Sequence, residues 1–188
     1  RTFVSSANFE NLCGQSHALI VGPRGSGKTT LLKMLQGPAL RAWKHADADR
    51  IRESVRFTGI YIPTDVNWDR QVKSLGLGRV TPEIQERLAM SAFTTHVLRS
   101  FAQSLDEAIE LPESATDRKS YSEVAAKIST EWKLKQTAKS FQSLRYGLRS
   151  RLNDLHRIAG QLQFLDDADA RSLVASTDWL HQNFLDLS

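Results

Sequence analysis

Three glycines, a lysine and two threonines stand at a spacing that suits the binding of phosphate groups. Residues 22–29 read GPRGSGKT and match the pattern G-x-x-x-x-G-K-[ST] at every fixed position. Gly22, Gly25 and Gly27 permit positive φ angles and leave no Cβ between the backbone and a ligand. Successive backbone N–H groups can then converge on phosphate oxygens, so the stretch predicts an anion-binding loop.

Each side chain of this loop has a predicted task. We expect Lys28 to reach the β and γ oxygens of a nucleoside triphosphate, the hydroxyl of Thr29 to bind Mg²⁺, and Thr30 to contact the α-phosphate region. Arg24 leaves two interpretations open, an exposed loop cation and a contact to phosphate or a partner. The predicted cofactors are ATP and Mg, held by Gly22, Pro23, Arg24, Gly25, Ser26, Gly27, Lys28, Thr29 and Thr30.

The elements that must position this loop are predicted from apolar runs. Residues 17–21 predict a buried strand that enters the loop, and a helix is expected from Lys28 to about Gln36. Residues 57–62, FTGIYI, predict a second strand because they are rich in β-branched and aromatic residues. We therefore expect an α/β fold with the parallel sheet of a P-loop NTPase, incomplete in this chain. Residues 39–54 have helical composition, with Leu40, Trp43 and Ile51 facing inward.

The second half of the chain is predicted to be a long helical hairpin inserted into that fold. Thr81-Pro82-Glu83 is a typical helix start, and apolar residues keep helical spacing from there to Leu111. Ser120 and Glu123 match a capping box, after which helical periodicity runs to about Ala159. This stretch predicts one long helix if it is continuous, and Gly147 is a point at which it could bend. We predict that Trp132 and Phe141 of this helix pack in the core.

Three segments follow from this organisation. We expect a P-loop nucleotide-binding core over residues 1–80, the helical hairpin insertion over 81–160, and a tail over 161–188 that leads to the rest of the ATPase core. The chain begins with Arg1 and not with Met, which indicates a fragment or a processed product.

The acid that an ATPase needs to hold Mg²⁺ is harder to place. Asp65 follows the second predicted strand, and Asp166 and Asp167 follow the apolar pair Phe164-Leu165. These three are the catalytic candidates, although the acidic stretch also reads as a turn or a helix start. A further alternative puts the acid beyond Ser188. We therefore expect this chain to bind ATP but to hydrolyse it poorly, and the full-length parent to be an ATPase.

Composition narrows the class of protein and of partner. The chain has 188 residues, 40% of them hydrophobic and 24% charged, and no apolar run long enough to span a bilayer. Cys13 is the one cysteine, so the chain can form no internal disulfide, which fits a cytoplasmic protein. The histidines show no ligand spacing, and we predict no zinc site.

The formal net charge is +4 and the sequence pI is about 9.4. The basic residues concentrate in the predicted helix 121–159. Two interpretations stay open for it: a solvated helix face, which we favour, and a contact to DNA or to an acidic protein partner. The basic side chains are Lys127, Lys133, Lys135, Lys139, Arg145, Arg149, Arg151 and Arg157.

Three stretches together resemble a known family. FVSSANFENLCGQSHALIVGPRGSGKTTLLKML, then GIYIPTD, then AAKISTEW are similar to the bacterial origin-recognition-like AAA ATPases, relatives of the STAND P-loop proteins. Such proteins are often encoded in anti-phage defence loci. The resemblance implies ATP binding coupled to a conformational switch or to assembly into a homo-oligomer or larger complex, acting on DNA or on an effector domain. The chain departs from the family pattern in having no identifiable second acidic motif or sensor arginine.

Two other functions remain open. A small P-loop kinase would use Asp65 as a base near the γ-phosphate and would need a lid, for which Arg118-Lys119 is the available pair. A non-catalytic module would instead grip nucleic acid or a partner with the basic helical hairpin, and ATP would only fix its shape.

Overall fold

The structure, a computed structural model, describes residues 7–14, 17–62, 80–109 and 115–182. Its helices are α1 (Ala7–Leu12), α2 (Lys28–Met34), α3 (Gly37–Ala42), α4 (Ala48–Ser54), α5 (Pro82–Ala108), α6 (Ala115–Glu131), α7 (Phe141–Leu162) and α8 (Asp167–Ala175), followed by a 3-10 turn at Asp178–His181. The described residues contain no strand. The predicted α/β fold with a parallel sheet is therefore wrong, and the described part of the chain is all-helical. None of the helices seen in these ranges is long and apolar enough to cross a membrane.

Both predicted strands are coil in the structure. Within residues 17–21, Leu19 is 89% exposed and Val21 is 84% exposed, so this run is not buried. Residues 57–62 also form no ladder. An apolar, β-branched run becomes a strand only when a neighbouring strand supplies hydrogen bonds and a face to pack on. The described residues provide no such neighbour for either run.

The chain divides into two compact units, Arg1–Tyr61 with Glu107–Ile109, and Ile62–Asp106 with Glu110–Ser188. In the first unit, the short helices α1, α3 and α4 enclose a core where Phe9 meets Trp43 edge to face, with ring centroids 5.9 Å apart. The core residues are Phe9, Cys13, Leu40, Trp43, Ala48 and Ile51. The predicted inward positions Leu40, Trp43 and Ile51 are confirmed as buried.

Helix α2 is attached to the same core through Leu31, Met34 and the following Leu35. It ends at Met34, slightly earlier than predicted, because Gly37-Pro38 starts a separate helix. The predicted helical region 39–54 is likewise split between α3 and α4. The C-terminal half of α2 is therefore packed against the core, and the loop precedes the other end of this helix.

In the second unit, α5 and α7 pack antiparallel. One core cluster joins the first half of α5 to the second half of α7 and to α8, through Ile84, Leu88, Leu155, Ile158, Leu162 and Val174. The other joins the second half of α5 to the first half of α7 and to α6, through Leu98, Ala102, Ala125, Trp132, Phe141, Leu144 and Leu148. The helix start at Pro82 and the core packing of Trp132 and Phe141 are confirmed.

The helix predicted over residues 121–159 is not continuous, because the chain breaks between α6 and α7. At the break Lys133 has φ 48°, and the N–H of Ala138 donates to the hydroxyl of Ser129 over 3.0 Å. Ser140 and Ser143 then form a reciprocal capping box that starts α7. These local side-chain bonds offer the backbone an alternative to continued helix.

Ser120 does not cap a helix either. Helix α6 begins at Ala115, so Ser120 lies within it and not at its start. The acid at Asp117 in the first turn favours this earlier start, since negative charge stabilises a helix N-terminus.

Candidate functional site

The loop at residues 22–27 is an exposed turn between the coil 17–21 and helix α2. Gly25 and Gly27 both have φ 86°, in the left-handed region that side chains with a Cβ rarely adopt. A Cβ built on either glycine would meet no atom within 4 Å, so open space lies beside the backbone there. The two glycines are required by backbone conformation and leave the loop accessible to a ligand.

Most amide groups of the loop find no acceptor among the residues that the structure describes. The N–H of Ser26 donates to the carbonyl of Pro23 over 3.3 Å, and the N–H of Leu31 donates to the carbonyl of Gly27 over 3.0 Å. The other N–H groups of this stretch donate to no acceptor among the described residues. They belong to Arg24, Gly25, Gly27, Lys28, Thr29 and Thr30. A row of unpaired amides is what an anion-binding turn offers.

The Lys28 side chain folds back over the loop. Its ammonium donates to the carbonyl oxygens of Gly22 and Pro23 over 2.6 and 2.7 Å, and lies 3.3 Å from the Ser26 hydroxyl. A Cβ built on Gly22 would stand 2.9 Å from that same hydroxyl oxygen, so the turn closes tightly at this point. The ammonium thereby holds the loop together and places a positive charge beside the free amides.

Thr29 and Thr30 lie exposed in the first turn of α2, and neither hydroxyl has a hydrogen-bond partner in the described part of the chain. These donor groups and the Lys28 ammonium suit a polyphosphate. For a magnesium ion, Thr29 supplies one hydroxyl oxygen. The described residues hold no cluster of three or more His, Cys, Asp or Glu side chains that could bind a metal ion by itself.

The segment 57–62 supports the far end of α2. A Cβ on Gly59 would collide with the carbonyl of Leu35, so only glycine allows the two backbones to approach this closely. The Lys33 ammonium lies 5.1 Å from the centroid of the Tyr61 ring. This segment, predicted as a strand, thus packs as coil against the end of the helix that carries the loop.

Two of the three candidate acids lie together at the start of α8. Asp65 lies outside the described residues. Asp166 is the N-cap of α8, where its carboxylate accepts a hydrogen bond from the N–H of Asp169 over 2.8 Å. Asp167 is the first residue of that helix and is exposed. Asp166 thus starts a helix, which is the alternative interpretation that the sequence offered for this acidic stretch.

The predicted basic helix resolves into side chains with different surroundings. Lys135 and Arg157 pair with Asp154 at 2.7 and 3.6 Å, and Arg151 is buried with 4% exposure. Arg145 and Arg149 instead line a cavity together with Arg99. Arg99 was not among the residues predicted from the sequence. Arg99 is distant in sequence from Arg145 and Arg149. Only the predicted helical hairpin, which brings α5 beside α7, indicates that the three side chains lie close together.

The family model described as ORC-CDC6-like matches residues 1–187 of the chain. The match relates the chain to origin-recognition and CDC6-like AAA ATPases, and at this level it confirms the resemblance found in the sequence. No curated protein and no solved structure shows significant similarity to the chain.

Proposed function

Because the chain belongs to the ORC-CDC6-like family, with its AAA-type ATPase-related function, we propose that it is the ATP-binding part of a larger ATPase. In this role nucleotide binding or hydrolysis drives a conformational switch or an assembly. DNA or an effector domain is the object of that switch, and defence against phage is the biological setting that the resemblance favours. The loop at residues 22–29 carries the proposal.

The support from this loop is chemical. Free amides between Arg24 and Thr30 are hydrogen-bond donors that can match the oxygens of a polyphosphate tail. Left-handed Gly25 and Gly27 orient the turn and leave it uncovered. Donors fixed before binding lose little conformational freedom when the ligand arrives, which favours affinity.

Lys28 supplies the charge in the proposed site. Its ammonium now donates to two backbone carbonyls, and phosphate oxygens would compete for the same protons because charge-assisted bonds to phosphate are stronger. The Thr29 hydroxyl is the proposed ligand of a magnesium ion, which would neutralise part of the triphosphate charge.

Turnover also needs an acid that holds Mg²⁺ and orients the attacking water, and residues 22–29 contain none. Asp65, Asp166 and Asp167 remain the candidates within this chain. We propose that residues 1–188 alone release phosphate from ATP slowly, within the organisation of a nucleotide-binding core at 1–80, a helical insertion at 81–160 and a tail at 161–188. Rapid magnesium-dependent phosphate release by the chain would contradict this part of the proposal.

The test of nucleotide binding is Lys28→Ala, measured as the affinity for a fluorescent ATP analogue by anisotropy. We expect the affinity to fall by about tenfold or more, since a charge-assisted contact to phosphate is lost. Lys33→Ala is the matched control, because it removes the same charge from the other end of α2. It should leave the affinity within about twofold of the wild type.

Circular dichroism of both variants checks that the helices remain folded. Unchanged affinity in a folded Lys28→Ala variant, or equal losses in the two lysine variants, would overturn the proposal, because binding would then not depend on this loop.

A further inference from the structure

A cavity in the second unit is bordered by three guanidinium groups. Arg99 of α5 and Arg145 and Arg149 of α7 line it, together with Gln142 and Tyr146. Its volume is about 230 Å³. A water molecule takes ~30 Å³ of liquid, so a hydrated phosphate group fits inside. None of the five side chains is acidic or aliphatic.

In the described ranges, one of the three guanidinium groups of this cavity has a carboxylate partner. Arg145 pairs with Asp106, with 3.2 Å between guanidinium nitrogen and carboxylate oxygen. Arg99 and Arg149 have no carboxylate partner among the described residues. His96 lies one turn before Arg99. Burial, and after it the charge of Arg99, lower the pKa of His96, which favours the neutral imidazole. Two guanidinium groups are therefore available to an incoming anion.

A polar face of α7 extends the cavity along the surface. Gln142, Tyr146, Arg149, Asn153 and His156 are all exposed, and they recur every three or four residues. Such spacing puts them on one side of a helix, along about 21 Å at 1.5 Å per residue. These five residues include no acid, and the one acid of α7, Asp154, pairs with Lys135 and Arg157.

We propose that this arginine face, formed by Arg99, Gln142, Arg145, Tyr146, Arg149, Asn153 and His156, binds the sugar–phosphate backbone of a nucleic acid independently of sequence. Guanidinium groups match phosphate oxygens with paired donors, and side-chain amides add neutral donors along the strand. The length of the face corresponds to roughly six base pairs at ~3.4 Å each.

A nucleic acid fits this face better than an acidic protein does. Protein interfaces have an apolar core, whereas Tyr146 is the one large hydrophobic side chain exposed on this side of α7, at 62%. A tyrosine ring beside a phosphate contact can stack on a base or a sugar, which single-strand binders use. The inference does not rest on the nucleotide proposal, since all these residues belong to the second unit.

The test compares two variants for binding to a short fluorescein-labelled DNA, single-stranded and duplex, of arbitrary sequence. Arg99→Ala combined with Arg149→Ala should weaken binding by about tenfold or more and make the dependence of log K on log salt shallower by roughly one to two. Arg157→Ala is the matched control. It removes the same group from the same helix, but at a position where it contacts Asp154 and Gln161.

The expected result is a loss confined to the double variant, with affinity of Arg157→Ala within about twofold of the wild type. Loss of equal size per arginine in both proteins would show non-specific attraction by net charge and would overturn the proposal. The proposal would also be overturned if the wild-type protein bound neither the single-stranded nor the duplex DNA. Binding of labelled polyglutamate through the same two arginines would overturn it as well. Retained affinity of the double variant for the ATP analogue keeps this outcome separate from the test of Lys28.

Discussion

Arg151 shows how one residue of the predicted basic helix differs from its neighbours. Its side chain is buried, with the guanidinium carbon 5.3 Å from the centroid of the Trp179 ring and one nitrogen 3.4 Å from the Gln182 side-chain oxygen. The described residues offer it no carboxylate. Burial therefore lowers the pKa of Arg151 to about 10. A cation in this position is an electrostatic cost that the packing around it offsets only in part.

Replacing this cation with an apolar side chain of similar length should not harm the fold. We expect Arg151→Met to match the wild type or to raise the free energy of unfolding by about 1 kcal/mol, because a buried charge is removed while the volume is kept. Arg151→Ala removes the same charge and leaves a cavity, so it should be less stable than Arg151→Met. Urea unfolding of both variants measures the difference.

If Arg151→Met were destabilised by more than about 1 kcal/mol, the contacts to Trp179 and Gln182 would outweigh the burial penalty. The sequence contains the signal for this residue. Arg151 continues the spacing of Leu144, Leu148 and Leu155 on the buried side of α7, whereas Arg149 falls on the exposed side. Helical periodicity therefore separates Arg151 from the exposed basic residues of α7.

At the scale of single elements, α7 contains two glycines with different surroundings. A Cβ on Gly160 would meet nothing within 4 Å, whereas a Cβ on Gly147 would stand 2.9 Å from the Leu134 methyl group. Both lie inside the helix, where alanine is favoured over glycine by about 0.8–1 kcal/mol.

Gly160→Ala should therefore raise the free energy of unfolding by about 1 kcal/mol, while Gly147→Ala should gain less or lose stability because Leu134 must move. The two substitutions are chemically identical and sit on one helix, so each controls the other. Thermal unfolding followed by circular dichroism ranks them, and a Gly147→Ala variant as stable as Gly160→Ala would contradict the packing of Leu134 on this helix.

Elements were predicted well where the signal is local and poorly where it depends on distant partners. The start of α5 at Pro82 follows from its own residues, as does the need for positive φ at Gly25 and Gly27. The coil at 17–21 has the composition of a strand, yet a strand also needs a neighbour that composition does not provide. Arg99 was missed for the same reason, since it joins Arg145 and Arg149 only through the packing of α5 on α7.

At the scale of the whole molecule, the two proposed binding surfaces lie in different units. The loop at residues 22–29 belongs to the first unit and the arginine face to the second. The variants Lys28→Ala and Arg99→Ala with Arg149→Ala therefore report on separate surfaces, and each surface can fail its test alone.

Acid stability is a property of the whole chain that His96 should influence. Burial first, and the charge of Arg99 second, lower the pKa of His96 in the folded protein below its ordinary value of 6.5. As the pH falls below that value, the unfolded chain takes up a proton before the folded one does. The free energy of unfolding should therefore decrease between about pH 7 and pH 5, a window above the ordinary titration range of the carboxyl groups.

His96→Gln removes this titration, so the variant should lose less stability than the wild type over the same pH interval. The thermal midpoint measured by circular dichroism at the two ends of the interval gives the comparison, and His156→Gln is the control because His156 is exposed on α7. Arg99→Ala should reduce the loss of stability at acid pH by less than His96→Gln does, since burial remains as the larger cause of the lowered pKa of His96. Equal acid losses in the wild type and His96→Gln would mean that another group controls stability in this range, and that His96 accepts a proton in the folded protein without penalty.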